Sequence, residues 1–159
     1  LSAVAETLEL WVEVQAMWKY VEAVYSSSDI AIQLPLAAKH FRELSKIWEE
    51  LMTKALEARQ IVQHCAGNDS LRSTLSHLLN QLSVCQRTIS SHLALKRAVC
   101  PRLYFVSDAQ LLRLVSQEAR PHTLRPHLAP LFSTVDRVEF DAAHRMVGIA
   151  SGDGHTVPL

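Results

Sequence analysis

The chain has little glycine: four residues in 159, none of them in a GxxxxGK[ST] loop or a dinucleotide fingerprint. That removes the usual backbone cradles for phosphate. The stretch from Gly148 to Gly154 contains Ser151 but has no GxSxG elbow, so a hydrolase nucleophile is not indicated. An excess of one charge is missing too. Sixteen Lys and Arg balance sixteen Asp and Glu, with no basic run, so the long-range pull on nucleic acid or an anionic membrane is weak. Neither is expected as a partner. Cys65, Cys85 and Cys100 are odd in number and form no CxxC pair, which suits reduced thiols rather than a disulfide framework. No run approaches the roughly 20 apolar residues that span a bilayer, and no basic-then-apolar leader opens the chain. The reading is a soluble, intracellular protein. Leu1 already lies in helical pattern, as in a piece of a longer chain.

Eight histidines raise the question of a metal, yet none forms HExxH, and His64 beside Cys65 has no second pair at ligand spacing. His122 and His127 flank Pro126 in a surface turn, where solvated imidazoles are the ordinary case. Glu49 with Glu50, and Glu6, Glu9 and Glu13, sit among lysines and arginines on solvent-facing helical positions. No catalytic, cofactor-binding or metal residue is assigned.

What the chain does have is periodicity. Val4, Trp11, Trp18 and Tyr25 fall seven apart with Val14 and Val21 between them, predicting a first long helix over Val4 to Tyr25 with one buried stripe. Tryptophans at that spacing pack; they do not make a ligand-stacking surface. Ser26 to Asp29 break the pattern before a short turn through Ile30 to Leu34. Pro35 then suits the first position of a second helix, carried to about Gln63 by Phe41, Leu44, Trp48, Leu51 or Met52, and Leu56, and antiparallel to the first. Gly67, Asn68 and Asp69 mark a reversal and a fresh cap. Leu71, Leu75, Leu78, Leu82, Cys85, Ile89 and Leu93 give the third helix its apolar face.

The sharpest punctuation is KRAVCPRLYFVSDAQLLRLVSQ, Lys96 to Gln117. Pro101 stops the incoming helix and pushes Cys100 to extended geometry. Leu103 to Val106 reads as a short extended run fit for burial, and Ser107 with Gln110 as a capping box opening a helix over Asp108 to Gln117. Pro121, Pro126 and Pro130 keep any helix between Arg120 and Phe132 short. Val138 to Phe140, Met146 to Ala150 and Thr156 to Leu159 read as strands, the last two a hairpin through Ser151 to Gly154. The expected fold is mostly α, with a three-long-helix bundle over 1–98 and short helices with a terminal β-hairpin over 99–159.

Three stretches together resemble the linker region of axonemal, outer-arm type dynein heavy chains. They are LWVEVQAMWKYVEAVYSSSDIAIQLPLAAKHF (Leu10 to Phe41), LKRAVCPRLYFVSDAQLLRLVSQ (Leu95 to Gln117) and LRPHLAPLF (Leu124 to Phe132). The likeness spans nearly the whole chain. It departs at Cys100 and Leu103, where the family carries aromatics, at His92, Leu93 and Ala94, and at Pro130. The resemblance implies an elongated antiparallel helical bundle, the N-terminal part of a mechanical lever lying across a ring of AAA+ modules in a minus-end-directed microtubule motor of cilia and flagella. It implies no enzyme activity or cofactor in this piece, with ATP and magnesium held in the parent chain's ring. The implied partners are that ring and the rest of the linker, and, through the parent complex, intermediate and light chains and microtubules. A non-motor helical scaffold or tether would share the helical pattern but not the Lys-Arg to Ser-Asp run. An enzyme would need its site assembled from scattered residues.

Overall fold

Apolar side chains at three- and four-residue steps become helix in the computed structural model, which describes residues 2–26, 28–58, 60, 62, 65–115, 131–142 and 145–158. The elements are α1 (Ser2–Tyr25), α2 (Ser28–Gln33), α3 (Pro35–Glu57), α4 (Asp69–Val99), a 3-10 helix (Pro101–Phe105), α5 (Asp108–Val115) and strands β1 (Val135–Phe140), β2 (Met146–Ser151) and β3 (Thr156–Pro158). The described chain is mostly helical, with one small antiparallel sheet. It divides into two compact units, Leu1–Ile89 and Ser90–Leu159, and α4 passes through the division.

In the first unit most positions of the predicted stripes are buried, while Val4 and Trp18 are half-buried. Trp11, Val14, Val21 and Tyr25 of α1 are buried, as are Ala38, Phe41, Leu44, Trp48 and Leu51 of α3. Trp11 meets Trp48 edge-on at 6.3 Å, Trp18 lies 6.3 Å from Phe41 and 6.4 Å from Trp48, and Tyr25 stacks on Phe41 at 5.7 Å. Positions rise along α1 as they fall along α3, so the two run antiparallel. His40 meets Gln81 at 3.0 Å, while Leu51 and Lys54 share a groove with Leu71 and Thr74, so α4 runs antiparallel to α3. Burying each large side chain of these stripes contributes about 1.5–3 kcal/mol, and that burial holds the three helices side by side. Leu71, Leu75, Leu78, Leu82, Cys85 and Ile89 supply the α4 face, each buried.

The ends follow local rules. Pro35 opens α3 as expected, and Asn68 caps α4 by accepting the Leu71 amide at 3.0 Å, with Gly67 at φ 68° making the reversal. Two expectations fail. Helix α3 ends at Glu57, not near Gln63, and Leu56 is 80% exposed. Continuing the buried series Phe41, Leu44, Trp48, Leu51 by four brings Ala55 inward and turns Leu56 a third of a turn away. Met52 is likewise on the outside.

In the second unit α4 continues to Val99 with Leu93 fully buried. Cys100 is extended ahead of Pro101, as a residue before proline should be. The run after it corrects the sequence reading. Residues 101–105 wind into a 3-10 helix, leaving Tyr104 67% and Phe105 72% exposed, and only Val106 is buried. The capping box at Ser107 is present: Ser107 Oγ accepts the Gln110 amide at 3.3 Å, and Gln110 Oε1 accepts the Ser107 amide at 3.0 Å. The sheet has order β1-β2-β3, all antiparallel, so the anticipated hairpin pairs with the strand expected at Val138 to Phe140, which begins earlier, at Val135. Expectations for Gln117, for the proline-rich segment from Arg120, and for His64, His122 and His127 lie outside the described residues.

Candidate functional site

The residues weighed for chemistry are scattered. Glu6 pairs with Arg72 at 2.7 Å on the surface, and Glu9, Glu13, Glu49 and Glu50 are exposed. Among the described residues no three His, Cys, Asp or Glu side chains are grouped as metal ligands would be. Cys65 and Cys85 are buried, and that burial pushes both thiols above their usual range. Tyr25 is pushed up to about 12, first by burial and then by Cys85 and Tyr20. These are packed, neutral groups, poorly suited to act as nucleophiles. No described helix is long and apolar enough to cross a membrane.

The arrangement that stands out is polar and lies where α4 ends. Arg97, in the last turn of α4, donates from Nε to the Leu103 carbonyl at 3.2 Å and from Nη2 to the Val106 carbonyl at 3.0 Å. Its Nη1 pairs with Asp108 Oδ1 at 2.7 Å, and its guanidinium lies over the Tyr104 ring, 5.8 Å from the centroid. One side chain thus joins the end of one helix, the 3-10 turn and the first residue of α5. The Arg97 side chain is only 15% exposed, so its carbonyl bonds are sheltered, whereas Asp108 is half in solvent.

The planar guanidinium explains why this works. Five N–H groups fan out in one plane, so three acceptors at different points of the chain can be met at once; a lysine ammonium could not span them. Asp108 also sits in the first turn of α5, where a carboxylate is favoured by the helix dipole. A second arginine repeats the device nearby. Arg102 donates to the Leu131 carbonyl at 2.9 Å and lies 4.9 Å over the Phe132 ring, tying the 3-10 helix to the chain before β1. Sequence reading marked Lys96 to Gln117 for its proline and its cap and missed both arginines. The available signal was an Arg-to-Asp spacing whose meaning depends on the turn between them.

Comparison with known proteins places the whole chain in one family. Residues 1–159 match the family model described as "Dynein heavy chain, N-terminal region 2". The chain is 40% identical over its full length to dynein axonemal heavy chain 5 of Rattus norvegicus, covering 5% of that protein. It is 37% identical over its full length to dynein axonemal heavy chain 8 of Homo sapiens, covering 4% of it. It is 39% identical, over 89% of its length, to the dynein gamma chain of the flagellar outer arm of Chlamydomonas reinhardtii, covering 3% of that chain. The chain therefore spans only a small part of these relatives.

Proposed function

The chain belongs to the dynein heavy-chain family through its N-terminal region 2, and from that premise we propose that it is the earlier part of the linker, a lever that carries movement produced in an ATPase ring elsewhere in the same heavy chain. The match over residues 1–159 carries this reading. The packing supports it. A lever must resist bending, and α1, α3 and α4 lie alongside one another with aromatic and leucine side chains interlocked over many turns, the arrangement of an antiparallel helical bundle.

On this reading the residues here hold no nucleotide and perform no chemistry. ATP and magnesium act in the ring, and microtubules are met by other parts of the motor. The ring and the remaining linker are this segment's immediate partners, with intermediate and light chains joining through the whole complex. The relatives are named for axonemes and for a flagellar outer arm, so the proposed location is the axoneme of cilia or flagella.

The test uses the complete heavy chain. A two-residue Gly-Ser insertion after Asn80 turns every later apolar position of α4 by about 200° away from its face, beginning with Leu82. The expected result is a motor that still turns over ATP but no longer glides microtubules. Normal gliding by that motor would show that this segment bears no load, and the lever reading would fall.

A further inference from the structure

Force passing from α4 towards the sheet has one covalent route, the backbone from Cys100 to Ser107. That route looks weak on apolar grounds. Val106 is its one buried residue, while Tyr104 and Phe105 face outward. Pro101 removes an amide from the ladder, and the 3-10 turn is closed at its ends by the Leu103 amide to the Cys100 carbonyl at 3.0 Å and the Val106 amide to the Leu103 carbonyl at a long 3.4 Å. Short 3-10 turns of this kind are common sites of bending.

Arg97 bypasses the weak stretch. Its contacts reach residues 103, 106 and 108, so the guanidinium runs in parallel with the backbone across the whole corner. Two of its three acceptors are main-chain carbonyls, which means the bond fixes the path of the chain and not only the position of a side chain. The third, Asp108, is the first residue of the next helix, so α5 is held to the last turn of α4 directly. Charge-assisted bonds in such a sheltered fork are stronger than neutral ones and directional, and their joint geometry tolerates little change of angle.

We propose that Arg97 is the strap that makes this corner a stiff, load-bearing joint, and that cutting it turns the corner into a hinge. The proposal rests on the lever reading and adds to it the residue that fixes one joint of the lever. Arg97 acts through the backbone it holds, so it is a positioning residue. Lysine keeps the charge but loses the fork, so Arg97→Lys separates geometry from electrostatics. Asp108→Asn removes one arm and leaves both carbonyl bonds.

The experiment places Arg97→Lys and Asp108→Asn separately in the complete heavy chain within its dynein complex. It measures amide hydrogen exchange over residues 103–111, ATP turnover without microtubules, and microtubule gliding velocity. For Arg97→Lys, exchange in that segment is expected to rise about tenfold or more, reflecting easier local opening. Gliding velocity should fall while basal ATP turnover stays at the wild-type level. Asp108→Asn should give the same pattern at smaller amplitude, and it keeps the test decisive if the lysine variant assembles poorly. Faster exchange with normal gliding overturns the joint while leaving the lever standing, since the α4 insertion would still stop movement. Unchanged exchange in both variants overturns the strap itself.

Discussion

The helices before Ile89 and the corner after Ser90 solve the same problem, holding segments at fixed angles, by opposite means. The first uses shape. Trp11, Trp18, Tyr25, Phe41 and Trp48 interlock, while the polar bonds between helices include Trp18 Nε1 to Ser45 Oγ at 3.1 Å, His40 to Gln81, and a Glu6–Arg72 ion pair that is half in solvent. The second uses directed charge. Arg97 and Arg102 grasp main-chain carbonyls, and Asp141 binds Arg145 through both its amide and its side chain at 2.8 Å. Apolar packing is non-directional and spreads its strength over many contacts, so it survives small errors in any one of them. A fork of charged bonds concentrates strength in one residue and fixes an angle. The difference suggests a beam in the first unit and a joint in the second.

The comparison breaks most visibly at Trp48, whose ring touches both Trp11 and Trp18. Trp48→Ala leaves a hole between α1 and α3 and should cost about 3–5 kcal/mol. Because all three tryptophans lie in the first unit, fluorescence during urea unfolding reports that unit, and its midpoint should drop sharply with little response to added salt. A small, salt-dependent drop would mean that shape is not what holds the beam. The sheet offers a sharper and smaller test. A Cβ on Gly148 would stand 3.3 Å from both Glu139 Oε2 and the Val157 carbonyl, and the second is backbone that cannot swing aside. Gly148→Val should therefore cost about 1–3 kcal/mol and raise amide exchange in β2 and β3. Wild-type exchange there would show the sheet to be looser than its register indicates.

These two regions also differ in how far they can be read from residues alone. Leu71, Leu75, Leu78, Leu82, Cys85, Ile89 and Leu93 are buried as their spacing requires, because a helix turns hydrophobic rank and position into a face by simple geometry. The same logic misplaced Tyr104 and Phe105. Their hydrophobicity argued for burial, but the 3-10 turn held by Arg97 points them out, with Tyr104 over the guanidinium. Periodicity has no term for one arginine that reaches three acceptors along a folded turn. Leu56 failed for a milder reason, since a series of fours and threes reaches Ala55 first and a larger neighbour does not displace it. The family likeness was legible because it depends on the order of many residues, whereas the corner depends on three bonds.

The smallest effects should appear at opposite ends of the pH scale. In the first unit, burial holds Tyr25 near 12 against an ordinary 10.0, and its hydroxyl has no hydrogen-bond partner among the described residues. Above pH 10 the unfolded chain therefore loses that proton before the folded one, so stability falls as pH rises, and Tyr25→Phe should flatten the fall and add about 1 kcal/mol near neutrality. In the second unit the sign reverses. His92 is held below its ordinary 6.5, first by burial and then by Lys96, so on acidification the unfolded chain takes up the proton first and stability is lost as pH drops through that value. His92→Gln should flatten the acid limb and leave the alkaline limb alone, as Tyr25→Phe should do in reverse. Urea midpoints for both variants, followed by tryptophan fluorescence for the first unit and by amide exchange in β1 and β2 for the second, decide it. If either substitution flattened both limbs, titration would not distinguish the two units, and the contrast between packed beam and charged joint would have to rest on the corner alone.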